Sequence, residues 1–411
     1  MAYYICGGKR LEGSVTVGGS KNAALPILFA TILIREPVTL LGVPQIGDVE
    51  KTLALLRKMG AEVKQEGNAL TVCAKEMSLP DACEEEIKEL RASSYLLGAG
   101  LSRFGEMCMA YPGGCNLGVR PLDIHCRALC AFGAAWEERG NTLFVGAKSL
   151  KGCEICLPYP SVGATVNVLL AAVGSPGKTV IRGAAAEPHI SCFIRFLRAA
   201  GADISVCANS VTVKGGRELH GCRFTVIPDD IEASTFLIGG ALLKSKITVN
   251  GVFLPCLCPL LSLFNRMHIG YSCEESAVTV LPSKVRGASV VCAPYPAFPS
   301  DLQPFAALLL SGAEGGGRII DRVWKERFAY VGELAKMGFS ARKRENSLYV
   351  YPTRLYGAHM RATDLRGGAA MVLAALAAEG ESVIENTGLI ERGYSHFLEK
   401  WKMLGAHAEH L

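Results

Sequence analysis

Along this chain, stretches with an apolar residue every three to four positions end on a glycine and give way to a short run of alternating apolar and polar residues. The pattern recurs at Gly60 (LALLRKMGAEV), Gly133 (RALCAFGAAW), Gly201 (IRFLRAAGADI), Gly270 (FNRMHIGYS), Gly338 (GELAKMGFS) and Gly405 (EKWKMLGAHA), at intervals of roughly 70 residues. The spacing predicts six amphipathic helices, each closed by a left-handed glycine just past its end and followed by a β-strand. A second set of helices lies between them, apolar nearly all round and rich in small residues. These begin at Ser20 (SKNAALPILFATIL), Arg91 (RASSYLLGAGL), Ser161 (SVGATVNVLLAAV), Asp230 (DIEASTFLIGGALL), Asp301 (DLQPFAALLLSGA) and Asp364 (DLRGGAAMVLAALAAEG). Apolarity on every face predicts burial, and small side chains predict close packing. The chain therefore reads as α/β, six repeats of a βαβαββ-like unit with the second set of helices inside and the sheets outside.

A length of 411 residues exceeds what one core usually supports, so six repeats divide into two domains of three. The break falls near Pro228, where VIPDD leads into the Asp230 helix, and without a long linker the domains are expected to be neighbours with a cleft between them. Half the residues are hydrophobic and a fifth charged, which excludes extensive disorder. A net charge of +5 with no basic run fits small anionic ligands better than nucleic acid. The start lacks a basic segment followed by a long apolar run, and apolar stretches such as Ala23 to Ile34 are too short to span a bilayer. Sixteen cysteines without a compact disulfide layout read as reduced thiols, so a cytoplasmic protein is expected.

Candidate chemistry concentrates first in Tyr111 to Pro121, YPGGCNLGVRP. Gly113, Gly114 and Gly118 let the backbone approach a ligand, Cys115 supplies a thiol, and Arg120 supplies a permanent cation that favours the thiolate. Cations also stand where a helix dipole disfavours them. Lys21, Arg91 and Arg366 mark starts of buried helices, Arg120 and Arg392 precede or open amphipathic ones, and Arg327 lies early in another. Each alone reads first as a solvated cation paired with an acid such as Asp364 or Glu391. Repetition at equivalent places points instead to a polyanion site at helix starts. Asp301 and Asp364 begin helices and serve as N-caps, yet a carboxylate among cations also stays ionised and accepts a proton from a substrate hydroxyl. Ser161, Val162 and Gly163 open a helix with a hydroxyl and backbone donors, suiting either a cap or a phosphate or uracil cradle.

The ordered set SKNAALPIL, RAS at Arg91, PGGCNLGVRPLDIH, PSVGAT, PDDIEASTF, YPAFPSDLQ, ERF at Glu326, TDLRGGAA and ERGY at Glu391 resembles the UDP-N-acetylglucosamine 1-carboxyvinyltransferase family over essentially the whole chain. The resemblance implies a two-domain inverted α/β barrel. One domain would span 22–228 and carry the Cys115 loop, and the other would combine 1–21 with 229–411, with the active site in the cleft. It implies transfer of the enolpyruvyl group of phosphoenolpyruvate to the 3-hydroxyl of UDP-N-acetylglucosamine, with release of phosphate, as the committed step of peptidoglycan synthesis. No metal or cofactor is implied, nor any nucleic-acid or membrane partner, and the chain would be a monomer or weak homo-oligomer. By the same resemblance Lys21, Arg120 and Arg392 hold the phosphate of phosphoenolpyruvate, Arg327 and Arg366 face its carboxylate, and Arg91 joins the anion cluster. Cys115 is the loop acid and fosfomycin target, and Asp301 the base. Asn22 contacts the sugar. Arg120, Pro121, Leu122, Asp123, Ile124 and His125, with Ser161, Val162 and Gly163, form the nucleotide-sugar pocket, and Val323 and Asp364 complete the binding set.

The chain departs from the family at Pro158 and Tyr159, at His189, at Pro304 and Phe305, and in FLPCLCPLLSLFNRM from Phe253. These departures fit two alternatives, a catalytically weak paralogue that binds UDP-N-acetylglucosamine as a regulator and an enolpyruvyl transferase with another acceptor.

Overall fold

The computed structural model describes residues 1–81, 85–113, 122–208 and 210–411. Its buried helices are α1 (Lys21–Ala30), α2 (Leu96–Phe104), α3 (Val162–Gly174), α4 (Asp230–Leu242), α5 (Gln303–Ser311) and α6 (Leu365–Ala377). A 3-10 turn leads into α2 (Arg91–Tyr95) and another into α5 (Ser300–Leu302). Their all-round apolar sequence has the expected result: in α6 every residue from Leu365 to Leu376 is buried. The amphipathic set is also present, at Gly47–Lys58, Asp123–Cys130, Pro188–Ala199, Leu254–Arg266, Tyr330–Ala335 and Phe397–Met403.

Five of the six helix-ending glycines, Gly60, Gly133, Gly201, Gly338 and Gly405, adopt positive φ. At Gly60 the glycine N–H donates to the Arg57 carbonyl and the Ala61 N–H to the Leu56 carbonyl, the paired bonds of a Schellman ending. Gly270 departs from this. In the fourth repeat His268 takes the left-handed position with φ 58°, and it and Ile269 make the equivalent bonds to Asn265 and Phe264. The hydrogen-bonding demand of the helix end is thus conserved while the residue that meets it is not, and Gly270 lies two positions too late to serve.

The described residues form six sheets, five of four strands and one of three. In five of them, the strand that follows a buried helix pairs antiparallel with the second strand of a β-hairpin, as Val38–Leu41 pairs with Ala69–Cys73 and Gly177–Arg182 with Ser210–Gly215, and in the sixth Glu381–Glu385 pairs antiparallel with Ala2–Cys6. Five sheets add a parallel strand. Beside α3, α5 and α6 it comes from just before the same helix, as Glu154–Cys156 pairs with Gly177–Arg182. Around α1 and α4 the strands are exchanged. Glu12–Thr16 precedes α1 yet pairs with Lys246–Asn250 after α4, and Arg223–Thr225 precedes α4 yet pairs with Val38–Leu41 after α1.

That exchange accompanies a division into two compact units. One joins Met1–Gly18 to Pro228–Leu411, and the other comprises the described residues between Gly19 and Ile227. Each contains three sheets around three buried helices, an inverted α/β barrel. In the discontinuous unit, Ala2–Cys6 lies between Glu381–Glu385 and His407–His410, so the first and last strands of the chain are neighbours. Among the described residues no helix is long and apolar enough to cross a membrane.

Candidate active site

In the continuous unit, Lys21 is the first residue of α1 and its Nζ lies 2.6 Å from Asp48 Oδ2, with both side chains largely buried. Asp48 belongs to the first turn of Gly47–Lys58, where an acid suits the helix dipole. Asn22 follows Lys21, half-buried. The Ser20 hydroxyl just before them is buried and has no hydrogen-bond partner among the described residues, and the Ser20 N–H reaches the Ile227 carbonyl at 2.7 Å.

Arg91 opens the 3-10 turn before α2, and its charge reaches the half-buried Tyr95 and the buried His125. Leu122 stands at the N-cap of Asp123–Cys130, where Asp123 and Ile124 are half-buried and His125 is buried. Burial, and then the Arg91 charge, hold the His125 imidazole at a pKa of about 4, against a weaker opposite pull from Asp123. At the start of α3 the Ser161 hydroxyl accepts from the Ala164 N–H at 3.3 Å, so this serine does cap its helix. Val162 and Gly163 are the first helical residues, whose N–H groups have no acceptor within the helix. Tyr159 is 54% exposed just upstream, and His189 is half-buried in the first turn of Pro188–Ala199.

Cys115, Arg120 and Pro121 lie outside the described residues. Gly113, immediately before that segment, has a steric reason to be glycine, because a Cβ there would fall 1.8 Å from the Lys88 carbonyl oxygen.

In the discontinuous unit, Asp301 stands between two buried guanidiniums. Its Oδ1 accepts from Arg327 Nη1 at 2.7 Å and its Oδ2 from Arg366 Nε at 3.2 Å. Burial alone would raise its pKa, but Arg327 and Arg366 outweigh that and hold the carboxyl far below the usual carboxylate range. The guanidiniums are themselves fixed. Ser300 Oγ accepts from Arg327 Nη1 and donates to Asp321 Oδ2, and Asp321 Oδ1 accepts the N–H groups of Val323 and Trp324, which sets the turn carrying Val323. The Arg366 guanidinium lies 4.9 Å over the Tyr394 ring. The Thr235 hydroxyl donates to the Ile231 carbonyl, so Tyr394 is the donor in the 2.9 Å bond between them. Among the described residues, Arg327 Nε and Arg366 Nη1 remain buried without a hydrogen-bond partner. Two cationic donors held without acceptors suit an anion that brings its own oxygens.

Asp364 is buried and turned into its own helix, where Oδ1 accepts the N–H groups of Arg366 and Gly367 at 3.1 and 3.0 Å. Arg392 precedes its amphipathic helix and does not open it. It caps the C-terminal end of the short helix Gly388–Glu391, where a cation suits the dipole, and the next helix begins only at Phe397. The neighbouring Glu391 accepts from Tyr3, across the sheet that joins the chain ends.

Several residues that shape the two sets were not singled out from sequence. Asp48 was an ordinary member of an amphipathic segment, and Tyr394 lay in the ERGY motif without a role. Asp230 lay in a recognised motif without a role. It lines a recess with Asp229, Val252, Phe253 and Cys256, and burial together with the Asp229 charge raises its pKa to about 7. The only advance signal was two consecutive acids opening an otherwise apolar helix.

Comparison with known proteins gives a consistent result. A protein of Halothermothrix orenii named UDP-N-acetylglucosamine 1-carboxyvinyltransferase is 40% identical over 406 residues, covering 98% of both chains. One of Bacillus subtilis, named UDP-N-acetylglucosamine 1-carboxyvinyltransferase 2, is 38% identical over 408 residues, covering 98% of this chain and 95% of that one. Among solved structures, the enolpyruvyl transferase NikO from Streptomyces tendae superposes with TM-score 0.92 at 28% identity, covering 100% of this chain and 98% of that one. EPSP synthase from Acinetobacter baumannii shares the fold at TM-score 0.77 and 19% identity, with both chains covered in full. The sequence profile of EPSP synthase (3-phosphoshikimate 1-carboxyvinyltransferase) matches residues 5–401, and the chain belongs to that family.

Proposed function

We propose that this protein transfers the enolpyruvyl group of phosphoenolpyruvate to the 3-hydroxyl of UDP-N-acetylglucosamine and releases phosphate, the committed step of peptidoglycan synthesis. The observation that carries the reading is the Asp301 carboxylate held between Arg327 and Arg366, each with a buried donor left without a partner. The names of the full-length relatives supply the substrates.

Arg327 and Arg366 receive the carboxylate of phosphoenolpyruvate. Lys21, Arg120 and Arg392 take its phosphate, with Arg91 in the same cluster. Asn22, Leu122, Asp123, Ile124, Ser161, Val162, Gly163 and Val323 meet the nucleotide sugar. Asp301 accepts the proton of the sugar hydroxyl as its oxygen attacks the enol carbon, and Cys115 protonates the methylene carbon. The tetrahedral ketal then expels phosphate as the added proton leaves carbon and the double bond is restored. A carboxylate held this far into its ionised form is a weak base. An anion arriving on the two guanidiniums offsets their field and raises the Asp301 pKa toward a working value, so the base is activated by the substrate.

The test is phosphate release from phosphoenolpyruvate by the purified protein, with and without UDP-N-acetylglucosamine. Release that requires the nucleotide sugar is the expected result. Release only with a different acceptor transfers the reading to another enolpyruvyl transferase, and binding of the sugar without release makes the protein a regulator.

A further inference from the structure

The interior of the continuous unit holds a hydrogen-bond centre at Asn167, fully buried in the middle of α3. Its Oδ1 accepts the Gly98 N–H at 2.7 Å, and its Nδ2 faces the Ser94 carbonyl at 3.0 Å, His125 Nδ1 at 2.9 Å and the Gly163 carbonyl at 3.3 Å. Glycine is required at position 98, since a Cβ there would come within 2.9 Å of the Asn167 amide oxygen. The chemistry fixes which way the amide points. The Gly98 N–H is a donor and needs the oxygen, and the two carbonyls need the nitrogen, so Nδ2 faces His125. Because Nδ2 has only hydrogens to offer, His125 Nδ1 must accept. The imidazole proton then resides on Nε2, and a cationic ring would set two donors against each other.

His125 is 5% exposed, and Nε2 has no protein partner among the described residues. The ring edge that carries it faces the start of α3, where a Cβ on Gly163 would fall 2.6 Å from Cε1 and 3.0 Å from Nε2. Glycine at 163 thus leaves that edge clear, beside the free N–H groups of Val162 and Gly163. The charged groups whose fields reach the ring are Arg91, from the 3-10 turn, which disfavours a second cation, and Asp123, from its own helix, which favours one.

We propose that Asn167 is a positioning residue for substrate recognition: it locks His125 as a neutral Nε2–H donor that, with the N–H groups of Val162 and Gly163, meets an oxygen acceptor of the nucleotide sugar. The ligand's identity rests on the function proposed above. The tautomer does not, and this separates failure of one from failure of the other.

The experiment is long-range proton–nitrogen NMR on the full chain labelled with [15N]histidine, the His125 signals being identified by their loss in His125→Gln. Without ligand, His125 is expected to show a protonated Nε2 and a bare Nδ1 from about pH 5.5 to 8, beyond a pKa of about 4. A proton on Nδ1, or a cationic ring near pH 7, overturns the proposal. Titration with UDP-N-acetylglucosamine is expected to shift Nε2 and leave Nδ1 almost unmoved, whereas binding with Nε2 unshifted also overturns it. A glutamine amide nitrogen reaches about as far as Nε2 and an asparagine only as far as Nδ1. His125→Gln should therefore bind the nucleotide sugar within about threefold of the parent and His125→Asn about tenfold more weakly, as expected for one hydrogen bond to an anionic or carbonyl oxygen. Equal affinities of the two variants, with both folded by thermal melting, refute the donor role. Absence of nucleotide-sugar binding by the parent, with the tautomer as expected, overturns the proposed substrate and leaves Asn167 as the residue that fixes the ring.

Discussion

Replacing Asp301 by asparagine removes one negative charge from between two buried positive ones without changing the volume. At an effective dielectric of about 20, unit charges at the observed 2.7 and 3.2 Å attract by roughly 6 and 5 kcal/mol, before the cost of desolvating all three groups is subtracted. Removing one partner of a buried ion pair destabilises by roughly 3–5 kcal/mol, and because a third of the Asp301 side chain is open to solvent the lower end applies, about 3 kcal/mol. For one unit of this size that is a fall in Tm of roughly 6–12 °C. The pH dependence has a definite sign. A carboxyl whose folded pKa is depressed adds stability above its unfolded pKa of about 4 and loses it as pH falls through the folded value, so the deficit of Asp301→Asn is constant from about pH 5 to 8 and narrows only below about pH 4. If Asp301 is the base, the same change lowers turnover roughly 100- to 10,000-fold. Melting curves across pH and steady-state phosphate release together decide the matter. Turnover above about a tenth of the parent's would refute a role as base, and an unchanged Tm would refute the ion-pair reasoning.

Cys115→Ala is expected to lose most turnover while binding of UDP-N-acetylglucosamine, measured by calorimetry, stays near normal; weakened binding with full turnover contradicts this. Lys21→Ala should weaken capture of phosphoenolpyruvate and also lower Tm, since it strips a cation from the buried Asp48 carboxylate, and Asp48→Asn in the same chain should recover part of the Tm without the affinity. Asp230 has a folded pKa raised to about 7, so its proton is favoured by folding and stability is lost as pH climbs from about 4 to 7; the Tm of Asp230→Asn relative to the parent should rise over that window, and a flat difference would exclude the burial effect. His268→Gly places glycine in the left-handed position it occupies at five other helix ends and should add about 1 kcal/mol, read as a Tm increase of roughly 2–4 °C; a decrease would mean the imidazole makes a contact worth more than the strain.

The fold was largely legible because its signals are periodic. An apolar helix surrounded by sheet, such as α6, has no polar face to disguise, and a helix ending in a left-handed residue needs glycine often enough to mark the repeat. The exception at His268 shows the limit, since backbone hydrogen bonding fixed the position while only steric preference fixed the residue. The strand exchange around α1 and α4 left no trace in the periodicity and was foreshadowed only by the resemblance that groups 1–21 with 229–411, because pairing partners are chosen by position in space and Glu12–Thr16 has the same character wherever it pairs. Candidate site residues were legible where a charge broke a helix rule, at Lys21 and Arg366, and invisible where the partner obeyed one, as Asp48 does in the first turn of its helix. Asn167 was unreadable for a related reason. A single amide in an apolar helix shows nothing until the carbonyls of Ser94 and Gly163 and the ring of His125 are placed around it.

The pairing of the first strand with the last has a consequence for how the protein is made. Ala2–Cys6 leaves the ribosome long before its partners Glu381–Glu385 and His407–His410 are translated. At ordinary elongation rates that strand waits roughly 20–80 s with both edges unpaired. The unit ending at Ile227 is complete in sequence long before and can fold during the wait. The order of translation thus separates the two units in time, and a nascent chain halted before Glu381 would hold one finished unit while the strand Ala2–Cys6 of the other still lacked its partners.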